Sequence, residues 1–213
     1  MSTRDLEQEL AREPRGVLRQ FKIAETDDAA LRDAIDQVKA LRGLLGARPR
    51  RRWFDAIGES GRPDDVDITY NDYSLYSGRS SPAAAPLTVR VVYLADGRRA
   101  IEGRVTCNQI YEGPPYGVHG GYVAGLFDDV LGGTIRLVEG PSAVTGTPEV
   151  KYRKITPLDT ELRFLAWVHH ESGRRIHSRA TCHAGEVLTA EAEALFIRVD
   201  MQALAVRVPP AGG

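Results

Sequence analysis

The sequence predicts a single α+β domain: a mostly antiparallel sheet around one buried central helix, preceded by a helical extension. Three observations predict it. Strand-like runs and one helical run follow the order β-β-α-β-β-β-β between Leu87 and Val199, the pattern of one α+β unit. The last three strand runs are long and joined by short turns, which antiparallel neighbours allow and parallel ones do not. The helical run is apolar on nearly every side from Tyr122 to Val138, and a helix that is apolar all round is a buried one.

The elements follow in order. Residues 1–60 read as the helical extension. Thr26-Asp27-Asp28 supplies a helix cap, after which Leu31, Ile35, Val38, Leu41 and Leu45 recur at helical spacing up to Gly46. Arg48-Pro49-Arg50-Arg51-Arg52-Trp53 comes next. Such a basic cluster either meets a phosphate or serves as a solvated connector paired with acidic neighbours. Residues 61–86, rich in Gly, Pro, Ser and Asp, read as a loop that wraps the domain, because Tyr70, Tyr73, Leu75 and Tyr76 offer apolar area to bury. Residues 87–200 form the core domain, and 201–213 a tail. In the core, Leu87–Leu94 is a strand, Asp96-Gly97 a hairpin turn, and Ala100–Ile110 the return strand. The buried helix spans about 120–138 and ends at Gly140-Pro141. Strands follow over Thr145–Tyr152, Glu161–His170, Arg175–Gly185 and Val187–Val199, with Ser172-Gly173 as a tight turn.

Bulk composition narrows the function. The 213 residues are 42% hydrophobic, enough for one domain with a sizeable core, and the net charge of −1 gives no basic field for nucleic acid. No apolar run reaches the ~20 residues of a membrane span, and the charged N-terminus lacks the apolar centre of a signal peptide. A cytoplasmic protein is expected. Cys107 and Cys182 stand far apart and read as two buried thiols on separate strands. His169, His170, His177 and His183 fall on strands without metal-ligand spacing, and phosphate-loop and Gly-x-Ser-x-Gly signatures are absent. No metal or cofactor is expected.

The helix carries the chemistry. Gly120, Gly121, Ala124, Gly125, Gly132 and Gly133 lie in it or at its ends. Interior glycine costs roughly 0.5–1 kcal/mol relative to alanine, and close approach of a sheet or a second helix is the expected compensation. Gly120 and Gly121 differ, because the N–H groups of a first helical turn have no partner within the helix and can receive a negative oxygen. Asp128 and Asp129 interrupt the apolar run. A buried carboxylate is costly unless paired or hydrogen-bonded, so at least one of the two is expected to have a chemical task.

His119-Gly120-Gly121, an aspartate nine positions after the histidine and a glycine four further on resemble the hotdog-fold acyl-CoA thioesterases. The nearest resemblance is to the phenylacetate-pathway type of the hydroxybenzoyl-CoA thioesterase superfamily. Tyr111–His119 resembles the turn before the helix, Thr145–Leu158 the following strand and its Tyr…Pro segment, and Ala190–Phe196 the closing strand. The likeness covers about residues 87–200. It implies a hotdog fold, Asp128 as general base or nucleophile, and the Gly120 N–H as the group that polarises the carbonyl. It further implies that His119 shapes the turn beside the thioester and that Thr145 helps place the water. One position departs: some relatives carry asparagine six positions before the histidine, where this chain has Gly113.

Thioester hydrolysis needs an activated water or nucleophile and donors for the developing oxyanion. Asp128, desolvated within an apolar helix, is expected to have a raised pKa. Eight helical residues at ~1.5 Å each put Gly120 and Asp128 about 12 Å apart, too far to serve one carbonyl. A site built from both therefore draws on two protomers, as in an antiparallel helix pair across a two-fold axis. The resemblance implies the same homo-oligomer, a dimer or a dimer of dimers. Asp129, about 100° round the helix, is expected to bond a neighbouring loop. Gly121, Arg153 and Arg174 are candidate substrate contacts, the arginines, with Lys151, Lys154 and Arg175, as partners for coenzyme A phosphates. A solvated sheet edge guarded by charge is the simpler explanation of any one of these cations taken singly. The expected substrate is an acyl-CoA or acyl carrier protein thioester. Two rivals share the fold: an acyl-thioester hydratase or dehydratase, and a non-catalytic acyl-CoA-binding protein.

Overall fold

A computed structural model describes residues 1–46 and 72–200. The basic cluster at 48–53, the first part of the wrapping loop and the tail lie outside the described residues. Two helices come first, α1 (Thr3–Ile23) and α2 (Asp28–Leu44). The helix α2 starts at an Asp27 cap, whose carboxylate accepts from Ala30 N–H, and ends as the spacing predicts. The helix α1 was not foreseen. Its start is a reciprocal cap: the Ser2 hydroxyl accepts from Asp5 N–H, and the Asp5 carboxylate accepts from Ser2 N–H.

Six strands follow: β1 (Thr88–Tyr93), β2 (Arg99–Thr106), β3 (Ala143–Tyr152), β4 (Glu161–Ser172), β5 (Arg175–Ala184) and β6 (Val187–Arg198). They form one antiparallel sheet in the order β1-β2-β4-β5-β6-β3. The central helix α3 (Gly120–Gly133) interrupts the strand sequence between β2 and β3, as predicted. It stops five residues short of Val138 and continues as a 3-10 turn over Thr134–Leu137. There the buried Thr134 hydroxyl donates to Leu131 C=O and shares a hydrogen with Ser178 on β5. Among the described residues no helix is long and apolar enough to cross a membrane.

The core lies between α3 and the inner face of the sheet. Val123, Leu126, Phe127, Val130 and Leu131 pack against Ile101, Val105, Leu162, Phe164, Ile176 and Phe196, with Phe127 edge-on to Phe164 at 5.0 Å. Both cysteines are free and buried, and burial pushes their thiols up, to about 12 for Cys107 and about 11 for Cys182. The glycines of α3 answer different neighbours. A Cβ on Gly133 would touch Ile101 of the sheet at 3.4 Å, whereas one on Gly132 would meet nothing. Gly125 is overlain by the Tyr76 ring, which occupies the place a Cβ would take.

That ring belongs to the described part of the wrapping segment, residues 72–87. The segment is strapped to α3: the Tyr122 hydroxyl accepts from Ala85 N–H at 2.6 Å and donates to Tyr76 C=O. The rings of Tyr76 and Tyr122 meet edge-on at 5.4 Å. In turn α1 holds the strap through Arg4 on Asp72, Arg15 on Ser81 C=O, and Tyr73 on Glu7. Leu75, expected to be buried, is exposed, because the strap already presents Tyr76 to the helix. Gly125→Ala is expected to lower stability by about 1–3 kcal/mol through overpacking against Tyr76, although helix propensity alone favours alanine by about 1 kcal/mol. Urea denaturation of Gly125→Ala with and without Tyr76→Leu measures this; equal costs in both backgrounds would rule out the ring as the cause.

The outer face of β2 carries a buried carboxylate. The Glu102 side chain is 3% exposed and binds Arg90 of β1, Arg104 of β2 and Arg163 of β4 at 2.6–2.9 Å. Burial by itself would raise its pKa, but hydrogen bonds from the three guanidiniums outweigh that and hold it down at about 2.

Candidate active site

The site begins in the turn before α3. Gly113 N–H donates to Gly117 C=O, Val118 N–H to Thr156 C=O, and His119 N–H to Tyr111 C=O. Together these hold the turn between the start of the helix and the segment after β3. At Gly113 a Cβ would lie 2.6 Å from the Cα of His119. No side chain fits there, so the asparagine of some relatives has no counterpart in this geometry.

His119 is the N-cap of α3. Its Nδ1 accepts from Gly121 N–H at 3.0 Å, which leaves the ring proton on Nε2. His119 C=O takes Tyr122 N–H and Val123 N–H. The Gly120 N–H is left without an acceptor among the described residues, and Gly120 C=O accepts from the Tyr152 hydroxyl at 2.7 Å. The Gly121 N–H, expected to be open to substrate, is instead occupied by the histidine.

Asp128 departs from expectation. It is exposed, not desolvated, and its Oδ1 accepts from the Thr145 hydroxyl of β3 at 3.0 Å. The cause is the shape of the enclosure. Sheet and strap cover α3 on most sides but leave open the line Gly121, Ala124, Asp128, Gly132, which share one helical face. Asp129 is the half-buried carboxylate. Burial raises its pKa against the bonds that stabilise its charge, and its Oδ2 accepts from the Ser74 hydroxyl of the strap at 2.5 Å. This is the loop contact expected of it.

Two groups of candidates thus form on one helix. His119, Gly120 and Gly121 sit at its N-terminus with Tyr152; Asp128 and Thr145 sit together two turns on. The remaining candidates stand apart. Arg153 is ion-paired with Glu191 of β6. Arg174, at the β4–β5 turn, donates twice to Arg198 C=O. Arg198 faces Ala143 and Tyr152 faces Ala190 in the register of β3 with β6, so Arg174 lies at the opposite end of β3 from Tyr152 and Gly120. Among the described residues no group of three His, Cys, Asp or Glu is placed to hold a metal. Sequence reasoning missed Tyr152 and Ser74 as members of this region. Tyr152 was visible as the end of a strand and the tyrosine of the Tyr…Pro segment, with no role assigned to it, and Ser74 as one serine among several.

A known structure shares this architecture. A thioesterase superfamily protein of known crystal structure aligns over 90% of this chain and 94% of its own, with a TM-score of 0.73 and 24% identity. The 90% reaches well beyond residues 87–200, into the N-terminal extension. Smaller overlaps occur with a hypothetical thioesterase protein with coenzyme A from Streptococcus pneumoniae TIGR4, at 18% identity over 53% of this chain and 89% of its own, TM-score 0.46. A putative thioesterase, phenylacetic acid degradation-related protein from Ralstonia eutropha JMP134, matches at 18% identity over 68% and 98%, TM-score 0.46. No family model and no curated protein matches the chain. The chain has the fold of the thioesterase superfamily, the hotdog fold: a six-stranded antiparallel sheet around a central helix.

Proposed function

We propose that this chain hydrolyses an acyl-CoA or acyl carrier protein thioester, at a site shared between two copies of itself. One observation carries the reading: the open face of α3 presents Asp128, held by Thr145, about two turns from a Gly120 N–H that has no acceptor among the described residues. The same face is lined by Gly121, Ala124 and Gly132, and a Cβ on Gly132 would meet nothing. Small residues let a second α3 approach closely and antiparallel. Asp128 of one protomer then lies near Gly120 of its partner, and the two-fold axis generates two equal sites. The strand β3 is an edge of the sheet beside this face, so a second β3 can extend the sheet across the same axis.

The chemistry follows from these groups. The thioester oxygen points at the Gly120 N–H, at the positive end of the helix dipole. Asp128 takes a proton from water as the water oxygen bonds to the carbonyl carbon. The C=O electron pair moves to oxygen, where the Gly120 N–H stabilises it. When the pair returns, the C–S bond breaks, and the thiolate leaves and takes up the proton held by Asp128. Acid and thiol are the products. Approach of the partner would also close the open face of α3 over Asp128 to bulk water.

Thiol release from a panel of acyl-CoA esters tests the reading. Release is expected from the parent, with a fall of about 10²- to 10⁴-fold in Asp128→Asn. Hydration of an enoyl-CoA without thiol release would replace hydrolysis by the first rival; binding with neither reaction would replace it by the second.

A further inference from the structure

We propose that Tyr152 is a positioning residue for the oxyanion donor, an inference that rests on the function proposed above. The donor sits in a pair of adjacent glycines, the most conformationally free backbone available, yet oxyanion stabilisation requires a donor fixed in advance. The peptide joining Gly120 to Gly121 is gripped at both ends. Its C=O receives the Tyr152 hydroxyl at 2.7 Å, and its N–H donates to His119 Nδ1 at 3.0 Å. The ring of Tyr152 also lies against Gly120, with Cζ and Oη 3.3 Å from where a Cβ would stand. With that peptide plane held, the preceding one, which carries the Gly120 N–H, has little freedom left to turn away. His119 grips from within the helix cap. Tyr152 grips from the end of β3, the strand that also carries Thr145. One strand thereby sets both halves of the chemistry: the hydroxyl on Asp128 and the phenol on the donor turn.

The phenol is half exposed and supports no core packing, so Tyr152→Phe removes one hydrogen bond and leaves the ring in place. Amide NMR and acyl-CoA kinetics on Tyr152→Phe provide two independent readouts. Hydrogen exchange at the Gly121 amide, which is bonded to His119 Nδ1 in the same peptide plane, is expected to quicken at least tenfold, with exchange at Val130 and Leu131 unchanged. The kcat is expected to fall about tenfold with KM within twofold and the melting temperature within a few degrees. Unchanged exchange at Gly121 would overturn the clamp whether or not the chain is a hydrolase. Faster exchange with an undiminished kcat would overturn its role in positioning. A parent that releases no thiol, with exchange at Gly121 responding as expected, would sink the proposed hydrolysis while leaving the clamp itself standing.

Discussion

Two inactive variants are expected to recover activity when combined. Asp128→Asn removes the proposed base and leaves the proposed donor. Gly120→Pro removes the donor and leaves the base, because proline has no N–H. Proline suits this place. It is favoured at the first helical position, and His119 already has the extended ψ, 130°, that a residue before proline adopts. Gly120→Ala is the control, since it adds the same Cβ beside Tyr152 but keeps the donor. Each variant alone is expected to lose 10²-fold or more of thiol release. Co-expressed at equal levels, half of the dimers contain one chain of each kind. In these, one site joins an intact Gly120 to an intact Asp128, and the other lacks both. About a quarter of parental activity should return. A co-expressed mixture as inactive as its components, shown by mass to contain mixed dimers, would exclude a site shared between protomers. A single-chain site would also be incompatible with the helix geometry, which keeps the two groups about 12 Å apart.

The second large effect is on stability. Glu102 lies under three guanidiniums whose side chains are 62%, 39% and 45% exposed. Glu102→Gln leaves these positive groups crowded together without their common anion. Removing one partner of a buried pair costs about 3–5 kcal/mol. The lower end is expected here, because the arginine heads can turn towards water. The pH dependence has a definite sign. The folded carboxylate titrates at about 2 against an ordinary value of 4.5, so the native state favours the ionised form. Its contribution is complete above pH ~5 and disappears as pH falls towards 2. Urea denaturation at pH 7 and pH 3 should show the parent losing stability on acidification and Glu102→Gln losing less of it. A variant within 1 kcal/mol of the parent at both values would mean that the cluster contributes nothing net, as in many exposed ion pairs.

Much of this fold was legible because its signals are local. Alternation in β2 and β4 to β6, the Asp96-Gly97 and Ser172-Gly173 turns and the cap at Asp27 each lie within a few residues of what they specify. The helix α1 escaped notice because Pro14 lies within it and because Leu6, Val17 and Phe21 remain exposed, so its apolar spacing marks no core. Its reciprocal cap at Ser2 and Asp5 was the available signal. The contrast between Asp128 and Asp129 was not legible. Both stand in the same apolar run, and which one meets water depends on where the strap and sheet leave a gap. The bonds that settle it join Ser74 to Asp129 and Thr145 to Asp128, 55 and 17 residues apart. Tyr152 and Gly120 are 32 residues apart, and neither residue type alone foretells the other.

The free side of β3 has a consequence for how a solitary chain behaves in a crowded solution. A bare strand edge invites further strands and can seed fibres. Pro148 deprives this one of an amide donor in mid-strand, and Glu149 and Lys151 stand next to it as an exposed ion pair. Interrupted and charged in this way, the margin is a poor template for runaway polymer growth, so a lone chain is guarded against aggregation.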